Sequence, residues 1–425
     1  MNFKYVIIGG SAGGIGAIES IRDIDKAGSI AVISDETTPQ YSKPMISEYI
    51  GEGAKLEEII FRPLRFWEEH SVNIFSDKKV AKVDVSAKTV MLENGASIGF
   101  EKLLIATGGK PIIPKIDGAE RKGVFTFVNL ADAKLLLGRL QNVKEAVVVG
   151  GGLIGVSLAE ALLKLRKKVT IVELKDRILN LILDIEGASM VADAVEHAGV
   201  KIITGHSVTK IAGRILSETQ VGGVVLDDGT KMSCDIVVLT IGVTPRIEVI
   251  DPRQIKVNRG VVVDRFMATS AQDIYACGDV AETFDFVNND FRLLPLWPLA
   301  YVGGRIAGSN MAGDKVGYPG GTQMCSLNYF GIPVISIGVV NPPKESGYEV
   351  LAKLNPESRT YRKIILQNDV IVGMILVGGI VNAGVILDLM KNRIPIGEFK
   401  ENLLSEEFGL IHLAEPLRLE MLRRN

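Results

Sequence analysis

The run Ala146-Val147-Val148-Val149-Gly150-Gly151-Gly152-Leu153-Ile154-Gly155 is a short apolar strand that enters three glycines and then a helix through Ala159 and Glu160. An earlier copy stands at the N-terminus. There Tyr5-Val6-Ile7-Ile8 leads into Gly9-Gly10-Ser11-Ala12-Gly13-Gly14 and a helix containing Ala17. One such glycine pattern is weak evidence, but two, each between a strand and a helix, are strong. The physical reason is phosphate. A helix N-terminus offers unpaired N–H groups and about half a positive charge, and glycines let the backbone turn tightly against a pyrophosphate. The loop residues expected at the cofactors are Gly9, Ser11, Ala12 and Gly14 in the first copy, and Gly150, Gly152, Ile154 and Gly155 in the second.

The next strand of such a unit should end in a carboxylate that accepts hydrogen bonds from an adenosine ribose. Lys168-Val169-Thr170-Ile171-Val172-Glu173 does so in the second copy. In the first copy the strand is 29–33, and Ser34 stands where an acid is usual, so the role passes to Asp35, with Glu36 second. Two dinucleotide sites imply two dinucleotides. FAD and NAD are the natural pair, because hydride passes directly between nicotinamide and flavin.

Composition narrows the classes further. Across 425 residues, 47% are apolar and the net charge is −2, so the chain can bury a large core and lacks the basic excess of a nucleic-acid binder. Cys234, Cys277 and Cys325 form no CxxC pair, and the four histidines are scattered, so no metal centre is expected. Sparse, unpaired cysteines suit a reducing compartment. The start of the chain runs from Met1 directly into a strand-like stretch without the features of a secretion leader, so a cytoplasmic location is expected. The segment Val370–Leu387 carries no charge, but its glycines fit a buried strand, a turn at Gly378-Gly379 and a helix from Ile380 to Met390 better than a membrane span.

Three further motifs make the pattern specific. Leu103-Leu104-Ile105-Ala106-Thr107-Gly108-Gly109, Val238-Leu239-Thr240-Ile241-Gly242-Val243-Thr244-Pro245 and Asp273-Ile274-Tyr275-Ala276-Cys277-Gly278-Asp279-Val280 resemble motifs of the FAD/NAD-dependent pyridine-nucleotide oxidoreductase family. The resemblance covers essentially the whole chain. It implies an α/β fold with two Rossmann-like dinucleotide-binding domains and a C-terminal α+β interface domain. The FAD domain would be split, 1–108 and 241–320, around an NAD domain at 109–240, with the interface domain at 321–425 and a homodimer through it. It also implies that Ala106, Thr107, Gly108, Gly242, Gly278 and Asp279 contact FAD, Asp279 at the ribityl and pyrophosphate region. In the last part, the run Leu327–Val334 and the run Gly373–Gly378 are read as strands, and Lys400–Asn425 as a packed terminal helix.

Disulfide-reducing members of the family carry a reactive cysteine in the stretch that here reads Gln40-Tyr41-Ser42-Lys43-Pro44-Met45-Ile46-Ser47. Pro44 takes that position, and disulfide or persulfide exchange needs a thiolate. The stretch instead resembles rubredoxin reductases, oxygenase-type ferredoxin reductases and the flavin domain of nitrite reductases. In that resemblance Lys43 is a catalytic cation beside the flavin, stabilising the charge that reduction adds, and Trp297 lies along the ring edge. Val128 and Ser157 replace an Arg and a Glu common in the family, while Glu160 remains on the second helix as a nicotinamide-side candidate. The expected activity is NADH oxidation through FAD, with electrons passed to a small protein such as rubredoxin or ferredoxin, or to O2. Two alternatives stand beside it: a coenzyme A disulfide or persulfide-type reductase of atypical chemistry, and a non-catalytic flavoprotein subunit of a larger complex.

Overall fold

The computed structural model describes residues 1–215, 217–343 and 347–424. The chain divides into two compact units: Met1–Ile112 with Phe127–Leu140 and Gly242–Gly321, and Ile113–Thr126 with Gln141–Ile241 and Thr322–Asn425.

The first unit is built on a sheet in the order Val72–Phe75, Ile30–Ile33, Asn2–Ile8, Ser97–Ile105, Thr89–Leu92, Val80–Asp84, with Ile274–Ala276 joining Ser97–Ile105. Asn2–Ile8 runs parallel to both neighbours, so that Val6 faces Ala31 on one side and Leu103 on the other. Tyr5, Val6 and Ile7 are fully buried. Successive strand residues point to opposite faces, so an unbroken apolar run means that both faces are covered, as a parallel sheet requires. The helix Ala12–Ile24 then packs on the helix Trp297–Met311 almost backbone to backbone. A β-carbon at Gly304 would stand 2.0 Å from the Gly13 carbonyl oxygen, and one at Gly308 would stand 2.4 Å from that of Ala17.

The second unit holds a five-stranded parallel sheet in the order Lys201–Thr204, Lys168–Glu173, Glu145–Val149, Ile236–Leu239, Val124–Thr126. It also holds a three-stranded antiparallel sheet over 208–233 and a five-stranded antiparallel sheet in the order Met324–Tyr329, Ile332–Gly338, Val370–Val377, Thr360–Gln367, Tyr348–Asn355. Asp184 ties the parallel and the C-terminal parts of this unit together. One oxygen caps the helix Ile185–His197 at the Gly187 N–H (3.1 Å), and the other accepts from Tyr361 Oη (2.6 Å) and Lys363 Nζ (2.7 Å). Both Asp184 and Lys363 are buried, and such a pair is tolerated because every charged atom finds a hydrogen bond.

Two segments depart from the sequence expectation. The run Leu327–Val334 is a hairpin, not one strand: Phe330 and Gly331 both take positive φ (49° and 84°), the geometry of a type I′ turn. Phe is not a residue that signals this turn. The tail is not one helix either. It runs through short 3-10 turns at Gly397–Asn402 and Leu410–His412 before the helix Glu415–Arg424, with Asn425 outside the described residues. The uncharged segment folds as Val370–Val377, a turn with Gly378 at φ 79°, and the helix Ala383–Lys391. Among the described residues no helix is long and apolar enough to cross a membrane.

Candidate functional site

Glycines of the two loops are held to that identity by packing. A β-carbon at Gly9 would lie 2.1 Å from the Ala106 carbonyl oxygen, at Gly14 2.0 Å from that of Gly9, and at Gly155 1.9 Å from that of Gly150. Gly152 is different. A β-carbon there meets nothing within 4 Å, and its φ of −78° suits any residue, so neither packing nor backbone strain calls for glycine. The open space before the helix is what a pyrophosphate would fill. Ser11 holds the equivalent place in the first loop, at φ −89°, and its hydroxyl does not cap the helix behind it. Helices Ala12–Ile24, Leu153–Lys164 and Trp297–Met311 all begin without a side-chain cap, each at residues expected near a cofactor. Leu130–Arg139 and Ile185–His197 are closed by Asn129 and Asp184, while Ala383–Lys391 also begins without a side-chain cap. An uncapped start leaves N–H donors free for a ligand.

In the first unit, Gly9, Ser34, Asp35, Lys78, Lys79, Thr107, Arg246 and Glu248 line one crevice beside the first loop. Asp35 faces it, whereas Glu36 is taken up elsewhere. Glu36 accepts from the buried Tyr41 hydroxyl (2.6 Å) and pairs with Lys43 Nζ (2.9 Å), and Tyr41 Oη in turn accepts from the Leu130 N–H (2.9 Å). Burial and the Glu36 charge drive the Tyr41 phenol far above its usual range, so it stays a donor. Gly108 has φ 70°, and a β-carbon there would meet nothing within 4 Å, while Gly242, at φ 109°, accepts from the Ile112 N–H (3.0 Å). Thr107 donates its hydroxyl to the Arg246 carbonyl (2.8 Å).

Asp279 sits in the short turn Gly278–Val280 and accepts no hydrogen bond from another described residue. Burial pushes its carboxyl above the usual value, partly offset by the Lys43 cation. Trp297 packs edge-on against Phe61, with centroids 4.4 Å apart, and its buried Nε1–H has no partner. A half-buried carboxylate whose donor is its own backbone N–H, and a buried indole N–H without an acceptor, leave hydrogen-bonding capacity free in the first unit. These groups, the open loop space and the free helix starts fit a dinucleotide.

In the second unit Glu173 is buried beside its loop. Its two oxygens accept from the Gly151 N–H (2.6 Å) and the Lys175 N–H (2.8 Å). Arg177 is drawn away to Asp176 (2.8 Å), the Leu183 carbonyl (3.4 Å) and Asn341 (3.3 Å). Ile154 is the second residue of the uncapped helix. Glu160 lies further along it, half-buried, near the buried Tyr329, whose phenol is pushed up mainly by burial and also by the Glu160 charge, while a hydrogen bond to Ser157 pulls it down. Cys234, Cys277 and Cys325 are all buried, and burial pushes each thiol up to about 12. None is the accessible thiolate that sulfur exchange needs.

Residues 3–303 match the family model for pyridine nucleotide-disulphide oxidoreductases, and residues 324–394 match that for the rubredoxin NAD+ reductase C-terminal domain. The chain is 30% identical over 412 residues to the NADH-dependent phenylglyoxylate dehydrogenase subunit epsilon of Aromatoleum evansii, covering 96% of each protein. It is 28% identical over 343 residues to the NADH-rubredoxin oxidoreductase of Clostridium acetobutylicum, covering 81% of this chain and 83% of that one. A solved NAD-dependent persulfide reductase from A. fulgidus superposes with a TM-score of 0.88 at 26% identity, over 100% of this chain and 84% of that one. The chain spans about half the length of two further curated relatives that it matches.

Proposed function

Because the chain belongs to the pyridine nucleotide-disulphide oxidoreductase family, we propose that it is an FAD-dependent NADH oxidoreductase that passes electrons to a small protein such as rubredoxin or ferredoxin, or to O2. The observation that carries this is the pair of glycine loops at uncapped helix starts, each with its own carboxylate, Asp35 and Glu173. Bound FAD would supply the step from two-electron hydride uptake to one-electron release. The chain's own residues hold the two nucleotides. Ser11, Ala12 and Gly14 present N–H donors to one pyrophosphate, and Gly152, Ile154 and Gly155 to the other. Ala106, Thr107, Gly108 and Gly242 shape the flavin side, Asp279 accepts from hydroxyls of the ribityl chain, and Lys43 brings a cation to the flavin that Glu36 keeps in place. Glu173 accepts from the NADH ribose, and Glu160 stands on the nicotinamide side.

In this proposal segments 1–108 and 241–320 serve FAD, 109–240 serve NADH, and 321–425 pair two copies of the chain. Work in the cytoplasm is supported by three unpaired cysteines and a core that needs no disulfide. The match of residues 324–394 to a rubredoxin reductase domain supports a rubredoxin-like acceptor. Sulfur exchange at the Pro44 turn is disfavoured, since all three thiols are buried. A second role, as the flavoprotein subunit of a larger complex, is supported by the full-length similarity to a named dehydrogenase subunit. The test is to release the pigment of the purified chain, identify it, and add NADH without air. FAD that NADH alone bleaches supports the enzyme. A colourless chain sinks it, and flavin that NADH leaves yellow favours the subunit role.

A further inference from the structure

The two ribose carboxylates are oriented by different means. Glu173 is held by two backbone N–H groups, of Gly151 at 2.6 Å and Lys175 at 2.8 Å. Asp35 receives no backbone hydrogen bond among the described residues. Among the described residues its one ion pair is with Arg246, Nη2 to Oδ2 at 2.7 Å. Ser34, which stands where the acid would end the strand, spends its hydroxyl on the Glu36 N–H (3.1 Å). Without Arg246, Asp35 would be a half-exposed side chain on a turn, free to rotate.

Arg246 is itself firmly placed. It follows the two-stranded ribbon that pairs Val243–Pro245 with Gly109–Pro111. Its N–H donates to the Gly108 carbonyl (2.9 Å), and its carbonyl accepts from Thr107 Oγ1 (2.8 Å). The backbone of the flavin-side loop thus carries the guanidinium into the same crevice as Gly9 and Asp35. Glu248 Oε1, 3.7 Å from Nε, bounds it on the far side. Arg suits this task better than Lys, because its planar fork keeps a fixed direction while spending one N–H on the carboxylate.

We propose that Arg246 is a positioning residue for FAD: it holds Asp35 turned into the crevice, with the remaining carboxylate oxygen aimed at the adenosine ribose. This rests on the assignment of FAD to the first loop. The experiment is an equilibrium titration of flavin-stripped, full-length protein with FAD, read by quenching of flavin fluorescence. It compares wild type, Arg246→Ala, Arg246→Lys, Asp35→Asn and the double variant Asp35→Asn/Arg246→Ala. Arg246→Ala and Asp35→Asn should each raise the Kd roughly tenfold, the scale of one lost charged hydrogen bond. The double variant should be no weaker than Asp35→Asn alone, and Arg246→Lys should recover part of the loss. Two residues acting through one contact are non-additive, whereas a general loosening of the fold would add. Unchanged FAD affinity in Arg246→Ala, or additive losses in the double variant, overturns the inference and leaves FAD binding standing. A wild type that takes up no FAD overturns both.

Discussion

Replacing Glu173 by Gln should nearly abolish the choice between NADH and NADPH. In NADPH the adenosine 2′-hydroxyl is a phosphate, and Glu173 is held beside the loop by the Gly151 and Lys175 N–H groups at 2.6 and 2.8 Å, so it is not free to swing away. Two like charges ~4 Å apart at an effective dielectric of 20 repel by about 4 kcal/mol. Arg177 is committed to Asp176, the Leu183 carbonyl and Asn341 and offers little relief. Taking the cation of Lys175, exposed on the same loop, to offset about half leaves roughly 2 kcal/mol, or about 30-fold in favour of NADH. Gln keeps the size of the side chain and one acceptor oxygen but removes the charge. The assay is the rate of flavin reduction at low, equal concentrations of either nucleotide, giving the ratio of kcat/KM values. Wild type should favour NADH by about 30-fold, and Glu173→Gln should bring the ratio within about threefold of unity. Faster reduction of the wild type by NADPH, or a ratio that Gln leaves unchanged, would show that Glu173 does not face the ribose.

Asp279→Asn should lower flavin content, because the amide offers one acceptor where the carboxylate offers two. The same change should stabilise the flavin-free protein near neutral pH. The Asp279 pKa is raised by burial, so the unfolded chain gives up that proton first, and folded-state stability falls as pH rises from the ordinary aspartate value of ~3.9 through the raised one. Thermal melts of flavin-free protein should therefore show a gain for Asn at pH 7 that vanishes near pH 4, and no gain at pH 7 refutes the cause. The three cysteines should resist a thiol reagent in the native protein and react after denaturation, and replacing all three with Ser should leave NADH-driven dye reduction largely intact. Rapid native labelling, or loss of turnover in a folded triple variant, would return sulfur chemistry to consideration. Gly304→Ala should cost about 1–3 kcal/mol in chemical denaturation, since its methyl would stand 2.0 Å from the Gly13 carbonyl oxygen. A stability equal to wild type would mean that the two helices are not in that contact.

Local chemistry made much of this protein legible in its sequence. A strand buried on both faces must be apolar without alternation, and Tyr5–Ile8 and Ala146–Val149 are. A loop whose backbone passes 2 Å from a would-be β-carbon must be glycine, and Gly9, Gly14 and Gly155 obey that constraint. Such demands are met within a few residues, so they leave a mark in the order of amino acids. The missed features depend on partners far along the chain or on strain repaid elsewhere. Phe330 adopts positive φ because the strands on either side of it pair, and nothing in a Phe-Gly pair announces that cost. The segment Phe127–Leu140 lies inside a stretch read as one domain, yet it clusters with the first unit, where the Leu130 N–H donates to Tyr41. Glu36 and Asp35 are adjacent acids that sequence alone ranks by position. Tyr41 and Lys43 claim one and Arg246 orients the other, because charge pairs form by distance in space, which chain order does not record.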